Sequence, residues 1–333
     1  MVPWALAFAS DGRLFFTERP GRVRLIENGR LVPDPIAILP VATPGADEML
    51  STEAGLLGLA VDPSFPDSPF LYVMYTYAAG SSFNQRISRL RLDGLHAAED
   101  KVLLDGIPGG QLHPGGAIHF GPDGKLYVST GDADKSDNSQ QLTSLGGKFL
   151  RINRDGTIPS DNPSPGSPIY STGLRDPQGF DWQPGTGALY ATDHGDNGND
   201  EVNRIEPGAN YGWPDIEGTQ QQEGMKTPLF IFVVAPSGAA FYRSNRIKGW
   251  NGSFFIACLK GERLARVVWN KDGTGVAGYE SLFIAKYGRI RAVAEGPDGA
   301  LYFSTSNRDG RSRLKLGPQP QPEDDRILRV VPA

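Results

Sequence analysis

One cysteine, Cys258, stands in 333 residues, so no intramolecular disulfide can form and no cysteine cage can hold a metal. No uninterrupted apolar stretch approaches the roughly 18 to 20 residues that cross a bilayer. Nor does any Lys/Arg block stand out against a formal net charge of -5, which argues against nucleic acid or an anionic membrane as the main partner. Phosphate loops, dinucleotide fingerprints and GxSxG elbows are all missing. No secretory leader opens the sequence, because Met1 is followed at once by Val2-Pro3-Trp4 and a strand-like run. What is plentiful is glycine and proline, 42 and 27 residues, about a fifth of the chain. An average soluble protein carries roughly an eighth. An interior Gly costs a helix about 1 kcal/mol and a Pro about 3, so a helical bundle is excluded. With 39% hydrophobic and 10% aromatic residues, the chain is a turn-rich globular protein rather than a disordered one.

Internal repeats carry the fold. A turn followed by an apolar strand recurs as SDGRLFFTER, DSPFLYVMYTY, PDGKLYVSTGD, GTGALYATDHG, WNGSFFIACLKG and PDGALYFSTSN. The markers Leu14, Leu71, Leu126, Leu189, Phe254 and Leu301 are 57, 55, 63, 65 and 47 residues apart. After each marker comes a second strand with an Arg between apolar residues, at Arg24, Arg89, Arg151, Arg204, Arg266 and Arg329. Ahead of each lies a shorter run: WALAFAS, LLGLAVD, AIHFGPD, GFDWQP, GAAFYR and IRAVAEG. Three strands per unit, with a fourth run such as AILPV or VLLDGI, describe a propeller blade. The expectation is an all-β, six-bladed β-propeller with four-stranded antiparallel blades, forming one domain over residues 1–333. Blade six ends at its third strand and blade one opens at its first, so a closing strand, and an export signal with it, is expected upstream of Met1.

In such a blade the start of the first strand and the end of the second share one face near the channel. Residues there that break the repeat are site candidates. Before the first strands stand Glu53, His113, Arg175, Arg289 and Arg291; six residues after the strand-two markers stand Asp132, Gly195 and Lys260. Each Arg taken singly could be a structural salt bridge, but a concave cluster of Arg and Lys favours a multiply anionic ligand. A lone His is more often structural than catalytic. His113 differs because the turn Pro114-Gly115-Gly116 leaves it uncrowded and Asp132 sits at the neighbouring strand end. That carboxylate can fix the imidazole tautomer and leave the other nitrogen as a general base. The Asp/Asn/Gly-rich loop TDHGDNGNDEVNRIEPGANYGWP suits a hard cation such as Ca2+ and suits plain turns equally. DNPSPGSP and LGPQPQPEDD read as loops without a site.

The runs VPWALAFASDGRLFFTERPGRVRLI, EAGLLGLAVDPSF, HPGGAIHFGPDGKLYVSTGD, GLRDPQGFDW, DEVNRIEPGANYGWP, APSGAAFY, LKGERL and RIRAVAEGPDGALYFSTS resemble the soluble quinoprotein glucose/sorbosone dehydrogenase family, its aldose sugar dehydrogenase branch above all. The resemblance spans nearly the whole chain. It implies a propeller that binds pyrroloquinoline quinone (PQQ) with Ca2+ and oxidises the anomeric carbon of aldoses to lactones. It assigns proton abstraction to His113, oriented by Asp132, and polarisation of the quinone oxygens to Arg175. Lys260, Arg289 and Arg291 fall at cofactor-binding positions, with Asp176 beside the quinone, and Glu53 at a sugar contact. The carbonyls of Gly195 and Asp196 fall at the catalytic Ca2+, and Glu201 with the Tyr211 carbonyl at a second, structural one. The implied setting is the periplasm or the exterior, with a quinone, dye or small redox protein as electron acceptor and a monomer or homodimer as the working form.

Departures from the family pattern bear on specificity. Asp176 stands where Asn is frequent, Leu112 replaces an acidic neighbour of the catalytic His, and Ala117 replaces an Arg after Gly-Gly. PLFIFVVAPSG lacks residues that cover cofactor and sugar in the glucose dehydrogenase branch. Short connecting loops predict an open site and broad aldose specificity. Two rivals remain at the level of sequence. A Ca2+-dependent sugar lactonase needs channel-centred acidic and Asn ligands, and a non-catalytic binding propeller needs no His113/Asp132 pair.

Overall fold

The computed structural model describes residues 2–43, 52–196, 198–310 and 320–332. Every strand-two marker begins its strand or falls one residue inside it, because the Gly-containing turn before it reverses the chain and the alternating apolar residues then bury one face. Blade one is β1 (Pro3–Phe8), β2 (Leu14–Glu18) and β3 (Arg22–Glu27), with short outer segments β4 (Arg30–Leu31) and β5 (Ala37–Ile38) on β3. Blade two is β6 (Leu56–Val61), β7 (Phe70–Ala79), β8 (Ser82–Asp93) and β9 (His96–Gly109). Blade three is β10 (Gly115–Phe120), β11 (Leu126–Thr130), β12 (Lys148–Ile152) and β13 (Ile169–Thr172). Blade four is β14 (Gly179–Trp182), β15 (Leu189–Asp193), β16 (Asp200–Ile205) and β17 (Phe230–Phe232). Blade five is β18 (Pro236–Phe241), β19 (Phe254–Cys258), β20 (Arg263–Trp269) and β21 (Val276–Leu282). Blade six has three strands among the described residues, β22 (Ile290–Glu295), β23 (Leu301–Thr305) and β24 (Ile327–Val330). All pairings within blades are antiparallel, so the expected six-bladed β-propeller is what the chain forms.

The first strands meet in a closed ring, β1 against β6, β6 against β10, and so on round to β22 against β1. Among the described residues, six hydrophobic cores lie between successive blades, from the Phe15/Leu56 cluster between blades one and two to the Leu6/Ala292 cluster between blades six and one. The Ser304 hydroxyl also donates to the Pro3 carbonyl at 3.0 Å, tying blade six to blade one.

The Arg signature has a local cause. Five of the six lie opposite the residue after the marker, as Tyr72–Arg89, Tyr127–Arg151, Tyr190–Arg204, Phe255–Arg266 and Tyr302–Arg329. Arg24 is the exception: Leu25 takes the equivalent place opposite Phe15, and Arg24 pairs one step along with Phe16. In blade three the Asp of PDGKLY completes the unit, Asp123 accepting from Tyr127 at 3.0 Å and from the Arg151 guanidinium at 2.8 and 3.0 Å. DNPSPGSP is a loop whose Asp161 and Asn162 also hold Arg151. LGPQPQPEDD begins outside the described residues.

The ring leaves no room for side chains at its tightest points. A Cβ on Gly179 would collide with the Ser237 carbonyl, and one on Gly238 would lie 2.9 Å from Ala292 Cα. At Gly278, in the outer strand β21, an added Cβ would have its nearest neighbour 3.7 Å away. Gly179→Ala should therefore cost about 3 kcal/mol or more, the upper end of over-packing penalties. Gly278→Ala should be neutral or slightly stabilising. Urea unfolding midpoints of the two variants check the contrast.

Candidate active site

His113 sits in the bend ahead of β10, with φ at 49°, a left-handed conformation unusual for a residue with a Cβ. The following glycines make the bend possible: a Cβ on Gly115 would lie 2.6 Å from the Gly131 nitrogen. The backbone N–H of His113 donates to Glu53 Oε2 at 2.9 Å, and its Nδ1 lies 2.9 Å from Asp132 Oδ1. Asp132, at the end of the neighbouring strand β11, is only 2% exposed at its side chain, while His113 is 15% exposed. Burial on its own would lower the His113 pKa. The hydrogen bond and charge of Asp132, with the charge of Asp176, outweigh it and raise the pKa above its ordinary value.

Asp132 is itself held on several sides. The Trp213 indole N–H donates to Oδ2 at 2.9 Å, and the Asp134 N–H donates to Oδ1 at 2.8 Å. Its own N–H donates to the Arg175 carbonyl at 2.8 Å. The plane of Trp213 lies under Arg175, whose guanidinium carbon is 5.2 Å from the ring centroid. Arg175 also approaches the His194 carbonyl at 3.3 Å and Asp196 at 3.6 Å, and its Nε is buried without a partner. Trp213 escaped the repeat argument because it comes from the long connection after β16, where no periodic slot marks it.

Lys260, in the turn after β19, is exposed and makes no ion pair among the described residues. Arg289 donates to Asp309 Oδ2 at 2.8 and 3.2 Å and keeps 12% of its side chain exposed. Arg291 differs. It is 2% exposed, donates to Gln178 Oε1 at 2.8 Å, stacks 3.8 Å from the Trp4 ring and approaches Asp309 at 3.5 Å. Burial pulls its pKa down to about 9, with neighbouring Arg289 and Arg19 adding to the fall and Asp309 opposing it. The position thus lies at the floor of the rim, with its NH groups turned inward onto Gln178 and Asp309 and its Nε buried without a partner. Asp176 is likewise turned inward: Oδ1 accepts the Gly115 N–H at 2.8 Å and Oδ2 accepts the Gln178 amide at 2.9 Å. It is 1% exposed, so its carboxylate braces the bend behind His113 and does not face the rim.

Behind Arg175 a small cavity is lined by Asp193, His194, Gly195, Glu201, Tyr211, Trp213 and Glu217, among others. Gly195 is required there, since a Cβ would strike the Asn199 carbonyl. The Asp196 carbonyl accepts the Asn199 N–H at 3.2 Å, and its own N–H donates to Glu217. Glu201 accepts from the Gly218 N–H at 3.0 Å and from Asn203 at 2.9 Å. Tyr211 spends its hydroxyl on the Arg204 carbonyl at 2.6 Å. Burial first, then like charge, raises the pKa of Asp193, and burial raises that of Glu201. Among the described residues no group of three or more His, Cys, Asp or Glu could hold a metal ion by side chains alone.

Among the described residues no helix is long and apolar enough to cross a membrane. The glucose/sorbosone dehydrogenase family profile matches residues 1–315. The aldose sugar dehydrogenase YliI of Escherichia coli K12 is 30% identical over 95% of this chain and 90% of its own length. The PQQ-bound aldose sugar dehydrogenase of Streptomyces coelicolor superimposes with a TM-score of 0.84 at 35% identity, covering 98% of this chain and 93% of that one. A Thermus thermophilus protein, provisionally described as an oxidoreductase (glucose dehydrogenase), superimposes with a TM-score of 0.87 at 42% identity, over 98% and 96% of the two chains. The six-bladed ring, the His113–Asp132 pair on its rim and these likenesses over nearly the full length lead to one conclusion: the chain belongs to the glucose/sorbosone dehydrogenase family of oxidoreductases.

Proposed function

We propose that the protein is a PQQ- and Ca2+-dependent aldose dehydrogenase that oxidises the C1 hydroxyl of its sugar to the lactone. The observation that carries this reading is the His113 imidazole, held by Asp132 at 2.9 Å beside a rim with a partly exposed Arg175 and an exposed Lys260 that has no ion pair among the described residues. The PQQ-bound form of the Streptomyces coelicolor relative supports the choice of cofactor.

The residues present fit the two groups by their chemistry. A compact anion carrying several carboxylates suits Lys260, Arg175 and Arg289, which offer cationic donors around one rim. Arg175 Nε, buried and without a partner, is a donor still in want of an acceptor. A hard cation suits the oxygen-rich cavity that includes Gly195, Asp193 and Glu201, where buried carboxylates hold protons more tightly than in water. In this reading the carbonyls of Gly195 and Asp196 supply ligands to the catalytic ion, with Glu201 and the Tyr211 carbonyl near a second. Arg291 and Asp176 support the binding residues from behind. When bound, PQQ polarised by Ca2+ supplies the two-electron acceptor for the C1 hydride.

His113 does the proton work. Its Nδ1 is engaged by Asp132, so the base is Nε2, which takes the hydroxyl proton from C1 as the carbonyl of the lactone forms. Asp132 stabilises the resulting imidazolium, and Trp213 prevents the carboxylate from rotating away. Glu53 accepts the backbone N–H of His113 through one oxygen and fixes where the imidazole starts. In this reading the same carboxylate reaches toward the sugar.

Reconstitution of the purified protein with PQQ and Ca2+ should give aldose-dependent dye reduction. Absence of turnover across a panel of aldoses overturns the assignment. His113→Ala should lose about 10²- to 10⁴-fold in kcat, the usual size of a general-base contribution, without loss of cofactor binding. The base must be deprotonated to act. With the His113 pKa raised, kcat/KM falls as pH drops through a value above about 6.5. Asp132→Asn removes a raising influence and leaves burial dominant, so the acidic limb of the pH profile should move to lower pH while kcat falls.

A further inference from the structure

A buried ammonium lies behind the catalytic pair. Lys148, the first residue of β12, is fully buried, and among the described residues no carboxylate lies within ion-pair distance of it. An ammonium has three donors, and Lys148 spends them on the carbonyls of Asn138, Ser139 and Gly146 at 2.6, 2.9 and 2.7 Å. These carbonyls come from both limbs of the 131–147 loop, which leaves β11 after Thr130, carries Asp132 near its start and returns to β12. Burying the ammonium carries a desolvation cost, which its three hydrogen bonds offset. An apolar side chain could not gather three inward-pointing carbonyls, which would be left buried and unpaired.

The gathered residues lead directly to the site. The Asn138 side chain donates to the Asp132 carbonyl at 2.8 Å. Ser139 donates through its hydroxyl to the Leu174 carbonyl at 2.6 Å and accepts the Gly173 N–H at 3.0 Å, which fixes the backbone entering Arg175. Arg175 in turn accepts the Asp132 N–H through its carbonyl at 2.8 Å.

We propose that Lys148 is a positioning residue for the reaction, acting through Asn138 and Ser139 on Asp132 and thereby on the imidazole of His113. The inference rests on the dehydrogenase reading for the role of His113, but the placement of the imidazole can be read without turnover. Burial lowers the Lys148 pKa to about 8, so the ammonium is largely intact at neutral pH.

The test uses the full-length protein with 15N-labelled histidine, titrated by NMR without added cofactor, as wild type, Lys148→Met and Asn138→Ala. The wild-type His113 should titrate above about 6.5 with its proton fixed on Nδ1. Both variants should lower that pKa by about half a unit or more and mix the tautomers. After reconstitution both should lose about ten- to a hundredfold in kcat with KM within about twofold. Asn138→Ala keeps the charge and severs the Asn138 route, and Asn138→Ala combined with Ser139→Ala severs the side-chain links of both routes, so this pair decides the matter if Lys148→Met does not fold. Variants that fold with an unchanged His113 titration, tautomer and kcat overturn the proposal and leave Lys148 a loop staple. If the wild type shows no dehydrogenase turnover, the reading of the function falls, and the titration still decides the positioning.

Discussion

Everything in this structure depends on six inner strands meeting round the channel more closely than side chains allow. At Gly58, Gly116, Gly179 and Gly238 an added Cβ would run into a neighbouring first strand or the residues leading into it. Blade six places the small Ala292 there, packed against Leu6 and Phe16 of blade one. In five blades the pairing of first and second strands also slips in register near its start, as at a β-bulge. The glycine content is therefore partly a packing requirement. Loop ends that converge on this ring inherit its rigidity, which is what a site built on loops needs.

On that scaffold, the rim is assembled from groups that restrain one another across blades. Asp132 of blade three receives Trp213 from the connection after β16 and lies against the Arg175 backbone ahead of blade four. Asp309 gathers Arg289 and Arg291, and its carbonyl accepts Arg19 from blade one at 3.0 Å, so the closure of the ring is also an electrostatic clasp. Of the rim cations, Lys260 alone is both exposed and without an ion pair among the described residues. Charge at this rim thus divides into a buried part that shapes the surface and an outer part open to a ligand.

The fold was legible because a blade is a local object. Turn, marker, aromatic and Arg recur within about thirty residues and report directly on cross-strand pairs such as Tyr127–Arg151. Only blade one, where Arg24 is shifted by one position, departs from the pattern, and its register is set by Leu25 packing with Phe15. The placement of the candidate site was legible in part, since strand ends are fixed by the repeat and His113, Asp132 and Arg175 come together from those slots. The orientation of side chains was not. Asp176 and Arg291 occupy rim positions in sequence, yet each turns inward to satisfy Gln178, Gly115 or Asp309. Trp213, Asp309 and Lys148 act over long sequence separations or through backbone carbonyls, for which residue type and spacing carry no signal.

The central claim is that the exposed half of this cationic rim holds a multiply anionic quinone next to His113. Calorimetric titration of PQQ into the protein, with Ca2+ present, tests it most directly. One saturable site per chain, weakened by Lys260→Ala and kept by His113→Ala, is the predicted result. No saturable binding, or binding indifferent to Lys260, contradicts the account.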